Sequence, residues 1–328
     1  MPINWNQFTE IVNSHQAFVL TCHIRPDCDC LGSALGMAFV LESLGKDVRI
    51  VTGDATPPNL AFIDASNVIQ VIGRDVQVDE LLDGYDVLMV LDTSSWAQLG
   101  PMGDVVRDTK AKKVVLDHHR IGDDIGAIEF KDTAAEATGT LVARAAKQLG
   151  VELSVEASQA IFAAVATDTG WFRFPSTTSE TYQVAAALVD SGADPAGIYA
   201  ELYERDTLGR VRLRGAILNR LTTELDGRLI HTYVLRSDFE ETGAIPSDTE
   251  DAINYALAVA GTEAAVIVIE QPKGGFKISF RSRCKMDCST VAARFGGGGH
   301  KAAAGAFVEG PFGQVQQDIL DAVRTAMT

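Results

Sequence analysis

Residues 17–33 constrain the fold more than any other stretch. Ala17 to Leu20 (AFVL) is a short apolar run of strand type, and an apolar pattern at helical spacing begins at Leu31 and continues to Leu44. His23, Asp27 and Asp29 therefore occupy a turn that leaves a strand and enters a helix, with Gly32 and Ser33 at the helix start. In an open α/β sheet such a turn lies at the carboxyl end of the strand, where ligands bind. Aspartates are common helix caps, and capping alone would account for a polar turn. One imidazole and two carboxylates converging there also make a good hard-cation site.

Three later clusters repeat the arrangement, each at the end of an apolar run. Residues 87–91 (VLMVL) lead into Asp92-Thr93-Ser94, and residues 114–116 (VVL) into Asp117-His118-His119. Residues 161–166 (IFAAVA) lead into Thr167-Asp168-Thr169-Gly170. Buried carboxylates are expensive unless they are paired or bind a metal. Four such groups at one sheet edge would repel one another without cations between them. Oxygen-rich ligands with one or two imidazoles suit Mn²⁺ or Mg²⁺.

A length of 328 residues suggests two domains, each with its own core. After the first strand and helix, strands are expected at 47–52, 68–72, 86–91 and 113–116, and helices at 135–150, 155–167 and 178–191. This alternation predicts an α/β fold with a parallel, doubly wound sheet covered by helices. Gly192-Ala193-Asp194-Pro195 closes that domain, which is placed at 1–195. Residues 196–221 read as a charged helical linker whose arginines include Arg205, Arg210, Arg212 and Arg214. Residues 222–328 read as a smaller mixed α/β domain, with strands at 228–235, 264–270, 276–281 and 303–308 and a closing helix at 312–326.

The formal charge of −16 argues against a broad basic groove for long duplex nucleic acid. The basic residues are uneven, however. Between Lys273 and Lys301 seven basic side chains face Asp287 alone, which suits a short anionic ligand. No apolar stretch approaches the roughly 18–20 residues of a membrane span, and five irregularly spaced cysteines fit a reducing cytoplasm. The run Gly296–Gly299 lets backbone approach a ligand closely, and its N–H groups can cradle an anion. His231 lies in a strand pattern without an acidic neighbour in sequence and reads as structural. Trp171 and Phe172 read as packing residues or as a stacking surface for a base.

The order H-x-x-x-D-x-D, D, D-H-H, T-D-T-G resembles the DHH phosphoesterase superfamily, and GGGGHKAAAG (296–305) resembles the tail of the associated DHHA1 domain. Size and motif order are most similar to the bacterial oligoribonuclease/3′-phosphoadenosine-5′-phosphate phosphatase branch, the nanoRNases. One departure stands out. The family usually reads PDGDA where this chain has Pro26-Asp27-Cys28-Asp29-Cys30, which keeps the ligands and puts a thiol close to the metals.

The resemblance implies a DHH domain and a DHHA1 domain with the active site in the cleft between them. It implies two divalent cations, Mn²⁺ first and Mg²⁺ second. His23 and Asp27 would hold one, Asp29, His118 and Asp168 the other, and Asp92 would bridge them. His119 would act on the scissile phosphate and Asp117 would orient the histidines. Arg281, Ser282, Gly298, Gly299 and His300 would bind the nucleotide. The implied substrates are short RNA oligonucleotides or small nucleotides, and a homodimer is left open. A cyclic- or linear-dinucleotide phosphodiesterase is the nearest alternative enzyme, and a silent nucleotide sensor the alternative of another class.

Overall fold

The computed structural model describes residues 3–250 and 252–328. The chain divides into two compact units, residues 1–205 and 206–328. The first contains α1 (Trp5–Ser14), β1 (Ala17–Thr21), α2 (Cys28–Ser43), β2 (Asp47–Thr52), β3 (Ile69–Val71), α3 (Asp79–Leu82) and β4 (Val87–Leu91). It continues through α4 (Trp96–Leu99), α5 (Met102–Asp108), β5 (Lys112–Asp117), β6 (Ile128–Lys131), α6 (Thr138–Leu149), α7 (Val155–Asp168), α8 (Ser179–Asp190) and α9 (Pro195–Tyr203).

Its sheet has the order β3-β2-β1-β4-β5-β6, and every pairing is parallel. The chain winds outward from β1 to β3, then returns to lay β4 on the other side of β1. The direction of winding reverses between β1 and β4, and in doubly wound sheets the crevice at that point receives ligands. Phe18, Leu20, Met89 and Leu116 pack on one face with α2, α6 and α7. Val19, Leu88 and Val115 pack on the other with Val105 and Val106 of α5. Coverage of both faces explains why these strands read as continuous apolar runs.

Helix α2 is the centre of this unit. Thirteen of its sixteen residues are buried, since the sheet lies on one side and α7 on the other. Its glycines permit the crossing: a Cβ on Gly32 would stand 2.3 Å from the backbone oxygen of Ala160. Such contact requires glycine and sets the two helices close together. The first turn of α2, with Asp29, and the last turn of α7, with Asp168, thereby reach one place.

Four details differ from the sequence-based expectation. Helix α2 starts at Cys28 rather than near Leu31, because the Asp27 carboxylate caps it by accepting from the backbone N–H of Cys30. Strand β6 is only four residues long, and Glu129 and Lys131 alternate with Ile128 and Phe130, too little to stand out in the sequence. Asp168 comes from a helix C-terminus and not from the sheet edge. The expected linker 196–221 is also divided: α9 packs in the first unit, while α10 (Leu208–Asn219) belongs to the second. Arg210 and Arg214 pair with Asp206 at 3.2 and 2.8 Å.

The second unit continues with β7 (Thr222–Glu224), β8 (Leu229–Val234), α11 (Arg236–Thr242), α12 (Ala252–Leu257), β9 (Ala264–Glu270), β10 (Phe276–Ser282), α13 (Cys288–Ala293), β11 (Gly298–Gly299), β12 (Ala303–Val308) and α14 (Phe312–Met327). Its sheet order is β11-β12-β10-β9-β8-β7, with only the β8–β9 pairing parallel. Alternate residues of β9 serve two cores. Val266 and Val268 meet Val291, Ile319 and Val323, whereas Ile267 and Ile269 meet Leu213, Ile217 and Ile253. Pairing of β7 with β8 puts Glu224 3.2 Å from His231, so this histidine has an acidic neighbour in space that its sequence surroundings did not reveal. Among the described residues no helix is long and apolar enough to cross a membrane.

Candidate metal centre

His23 leaves the end of β1 with its Nδ1 2.9 Å from the backbone oxygen of Ile24. A carbonyl only accepts, so Nδ1 carries a proton and Nε2 is the nitrogen whose lone pair would go to a cation. That Nε2 lies 3.7 Å from Asp27 Oδ2 and 3.4 Å from Asp92 Oδ2. His118 is held the same way, with Nδ1 3.2 Å from the backbone oxygen of Ala135. Its Nε2 lies 3.5 Å from Asp92 Oδ1, 3.6 Å from Asp168 Oδ2 and 3.8 Å from Asp29 Oδ2. The two oxygens of Asp92 thus face two histidines from opposite sides.

These separations fit cations better than direct hydrogen bonds. Donors about 2.1 Å from one ion and about 90–120° apart stand about 3.0–3.6 Å from each other. Two imidazoles and four carboxylates supply a suitable donor set. Electrostatics agree. Burial, then the charge of Asp29, pushes Asp92 well above the usual carboxylate range. Burial likewise raises Asp29 and lifts Asp168 to about 6. His23 is raised as well: burial would lower it, but the facing carboxylates of Asp27 and Asp92 raise it to about 11. The pocket is short of positive charge.

The surrounding backbone fixes the carboxylates. Asp29 accepts from the N–H groups of Thr138 and Gly139 at 2.8 and 2.9 Å, the free donors at the start of α6, and from Ser33 Oγ at 3.2 Å. Thr138 Oγ1 donates to Asp92 Oδ1 at 2.8 Å. Asp92 itself adopts a left-handed backbone, φ 61°, which turns its side chain back over the end of β4.

Family models for the N-terminal domain of the DHH family and for the DHHA1 domain match residues 17–167 and 226–328. A bifunctional oligoribonuclease and PAP phosphatase of Thermus thermophilus is 30% identical, the alignment covering 94% of this chain and 90% of that one. The chain belongs to the DHH family. A Bacillus subtilis protein of the same description is 25% identical over 92% of this chain and 93% of its own. The crystal structure of an exopolyphosphatase-related protein from Bacteroides fragilis superposes with a TM-score of 0.86 at 26% identity, over 98% of this chain and 95% of that one. As a DHH protein the chain is a phosphoester hydrolase of a metal-dependent kind.

Asp117 of the DHH triplet is fully buried. Its Oδ1 lies 2.9 Å from His119 Nδ1, and its Oδ2 accepts from Ser94 Oγ at 2.9 Å with Lys131 Nζ at 3.1 Å. Burial opposes ionisation there, yet His119 and then Lys131 hold the carboxyl down to about 2. The same contact raises His119, whose half-exposed ring stands 3.6 Å from Asp92. Lys131, Thr138 and Gly139 were not singled out from the sequence. The one available signal was Thr138-Gly139-Thr140 opening a helix, where bare N–H groups are available.

The DHHA1 unit places its five candidates at the ends of β10 and β11, the two strands that flank β12. Arg281 and Ser282 close β10, with the Ser282 N–H bonded to Ala302 O at 2.9 Å. Gly298 and Gly299 form β11 beside β12, so the glycine run is an ordered edge and not a loose loop. Gly299 has φ 144°, and a Cβ there would stand 2.6 Å from Ala304 Cα. His300 follows, exposed, its N–H bonded to Ala303 O at 2.7 Å. Trp171 and Phe172 pack against Phe162, ring centroids 6.0 and 5.9 Å away.

Proposed function

We propose that the chain hydrolyses short oligoribonucleotides to mononucleotides and 3′-phosphoadenosine-5′-phosphate to AMP. These are the activities for which the Thermus and Bacillus relatives are named. The observation that carries this reading is the pair of imidazoles, each pinned through Nδ1, that face opposite oxygens of Asp92.

In this reading His23, Asp27 and Asp92 hold one divalent cation, and Asp29, His118, Asp168 and Asp92 hold a second. Mn²⁺ is our first assignment and Mg²⁺ the second. Bound there, such cations supply Lewis acidity that generates a nucleophile from water near neutral pH and offsets charge on a phosphoryl oxygen. His119 donates a proton or hydrogen bond to the leaving oxygen. Asp117, kept ionised by His119 and Lys131, holds His119 in the tautomer and orientation for that task. In the DHHA1 unit Arg281, Ser282 and His300 bind the nucleotide, with the backbone of Gly298 and Gly299 close to it.

Metal-stripped protein refilled with Mn²⁺ or Mg²⁺ tests the reading on five substrates. These are a linear dinucleotide, a five-residue oligoribonucleotide, 3′-phosphoadenosine-5′-phosphate, cyclic di-AMP and pyrophosphate. Metal-dependent release of mononucleotides and AMP supports it. Cleavage of pyrophosphate alone, or tight nucleotide binding without turnover under either metal, overturns it.

A further inference from the structure

The two halves of the centre differ in one donor. Asp29, His118 and Asp168 bring together only oxygen and nitrogen, whereas His23 and Asp27 come together with the sulfur of Cys30, their ligand atoms all within 4.8 Å of one another. Cys30 is fully buried on the first turn of α2, and Asp92, 2% exposed, turns its Oδ2 toward the same place, 3.4 Å from His23 Nε2. The helix start produces this arrangement. Asp27 Oδ1 accepts from the Cys30 N–H at 3.0 Å, while its Oδ2 lies 3.7 Å from His23 Nε2, and the same turn carries the Cys30 sulfur into this group. The thiol makes weak contacts there, with the Asp27 carbonyl oxygen at 3.5 Å and with the thiol of Cys22. Cys22 and Cys28 are buried nearby, yet neither joins His23 and Asp27 in such a group among the described residues.

We propose that Cys30 makes the His23–Asp27 position a mixed nitrogen, oxygen and sulfur site that still accepts Mn²⁺ but prefers borderline-soft divalent cations of the Zn²⁺, Co²⁺ or Fe²⁺ class over it. The Asp29–His118–Asp168 position, without sulfur, keeps the preference for hard cations. The inference rests on the two-cation reading above and deepens it. Thiolate ligands favour softer metals, whereas carboxylate and carbonyl oxygens suit Mn²⁺ and Mg²⁺. Forming the sulfur–metal bond displaces the thiol proton to solvent, and the cation drives that loss. No oxidant or reductant is involved.

Co²⁺ is the probe. The metal-stripped full chain, kept reduced, is titrated with Co²⁺ while dialysis counts bound ions and spectra follow both the visible d–d bands and the near-ultraviolet sulfur-to-cobalt band. Wild type should show the sulfur band. Cys30→Ala should lose it while still binding cobalt, and Cys28→Ala should retain it. The preference of one position for Zn²⁺ over Mn²⁺ should fall about 10–100-fold in Cys30→Ala, the usual scale for perturbing a metal's surroundings. Cobalt bound with d–d bands but no sulfur band, or a band that survives Cys30→Ala, overturns the role of Cys30 and leaves the two-cation reading standing. Absence of cobalt binding overturns both. Should Cys30→Ala fail to fold, X-ray absorption at the zinc edge of wild type decides the matter: a sulfur neighbour supports the proposal, and nitrogen and oxygen neighbours alone reject it.

Discussion

Both units are built on six-stranded sheets, yet they put their polar groups in different kinds of place. In the first unit every strand runs parallel, so the carboxyl ends of β1, β4 and β5 open on one edge and deliver His23, Asp92 and His118 to a single crevice. In the second, mostly antiparallel, strand ends alternate between edges. There Arg281 and Ser282 end β10 one strand away from the glycine edge of β11. A parallel sheet concentrates charge that must be neutralised, whereas an antiparallel one offers backbone and isolated side chains to a ligand. The difference suggests chemistry in one unit and recognition in the other.

The largest expected effect tests the first half of that division. Asp92→Asn keeps the volume and tolerates the left-handed backbone at φ 61°, but it removes the shared anionic ligand. Turnover of an oligoribonucleotide should fall by about 10³-fold or more, measured as kcat with saturating Mn²⁺. A near-normal kcat in the Asp92→Asn variant would break the assignment. Next comes Lys131→Met, which strips Asp117 of its 3.1 Å cationic partner. With KM little changed, kcat should fall about 10–100-fold, the range for residues that orient catalytic groups. In the second unit Arg281→Ala should do the reverse, raising KM about 10-fold through a lost charge-assisted contact while sparing kcat. A loss confined to kcat would put Arg281 with the chemistry and erase the distinction between the units.

The sequence carried the first unit well because its chemistry is local. The strand, turn and helix around His23, and the acidic clusters after β4 and β5, are each a few residues long and each follow an apolar run. What escaped was whatever depended on distant partners. Thr138 and Gly139 hold Asp29 across more than a hundred residues of chain. Lys131 ends a strand of four residues with little pattern of its own. The boundary between units falls inside a continuous helix-favouring stretch, because composition does not reveal which core a helix joins. His231 looked unaccompanied because Glu224 reaches it only through β-pairing.

The smallest expected effect separates the units by pH. Without cations, Asp29 and Asp92 sit above the ordinary carboxylate range and Asp168 at about 6, chiefly because they are buried. The folded state therefore binds more protons than the unfolded one from about pH 4 upward, and stability falls as pH rises through 6. His23, raised to about 11, adds to this trend: its stabilisation is complete below about pH 6.5 and is lost toward 11. Asp117, held at about 2, stays ionised throughout and contributes evenly above about pH 4. The second unit behaves oppositely. Burial lowers His231, so that unit gains stability as pH rises to about 6.5, while Glu224 and Asp238, lowered by their arginine partners against the effect of burial, stay ionised. Metal-stripped protein should thus melt about 2–4 °C lower at pH 8 than at pH 5 in the transition of the first unit. Mn²⁺ should restore more stability at pH 8 than at pH 5, because cations and protons compete for the same carboxylates. Calorimetry with and without Mn²⁺ measures both effects. A metal-free first unit that melts higher at pH 8 would mean that its carboxylates are already compensated, and the contrast with the second unit would then lie in shape alone.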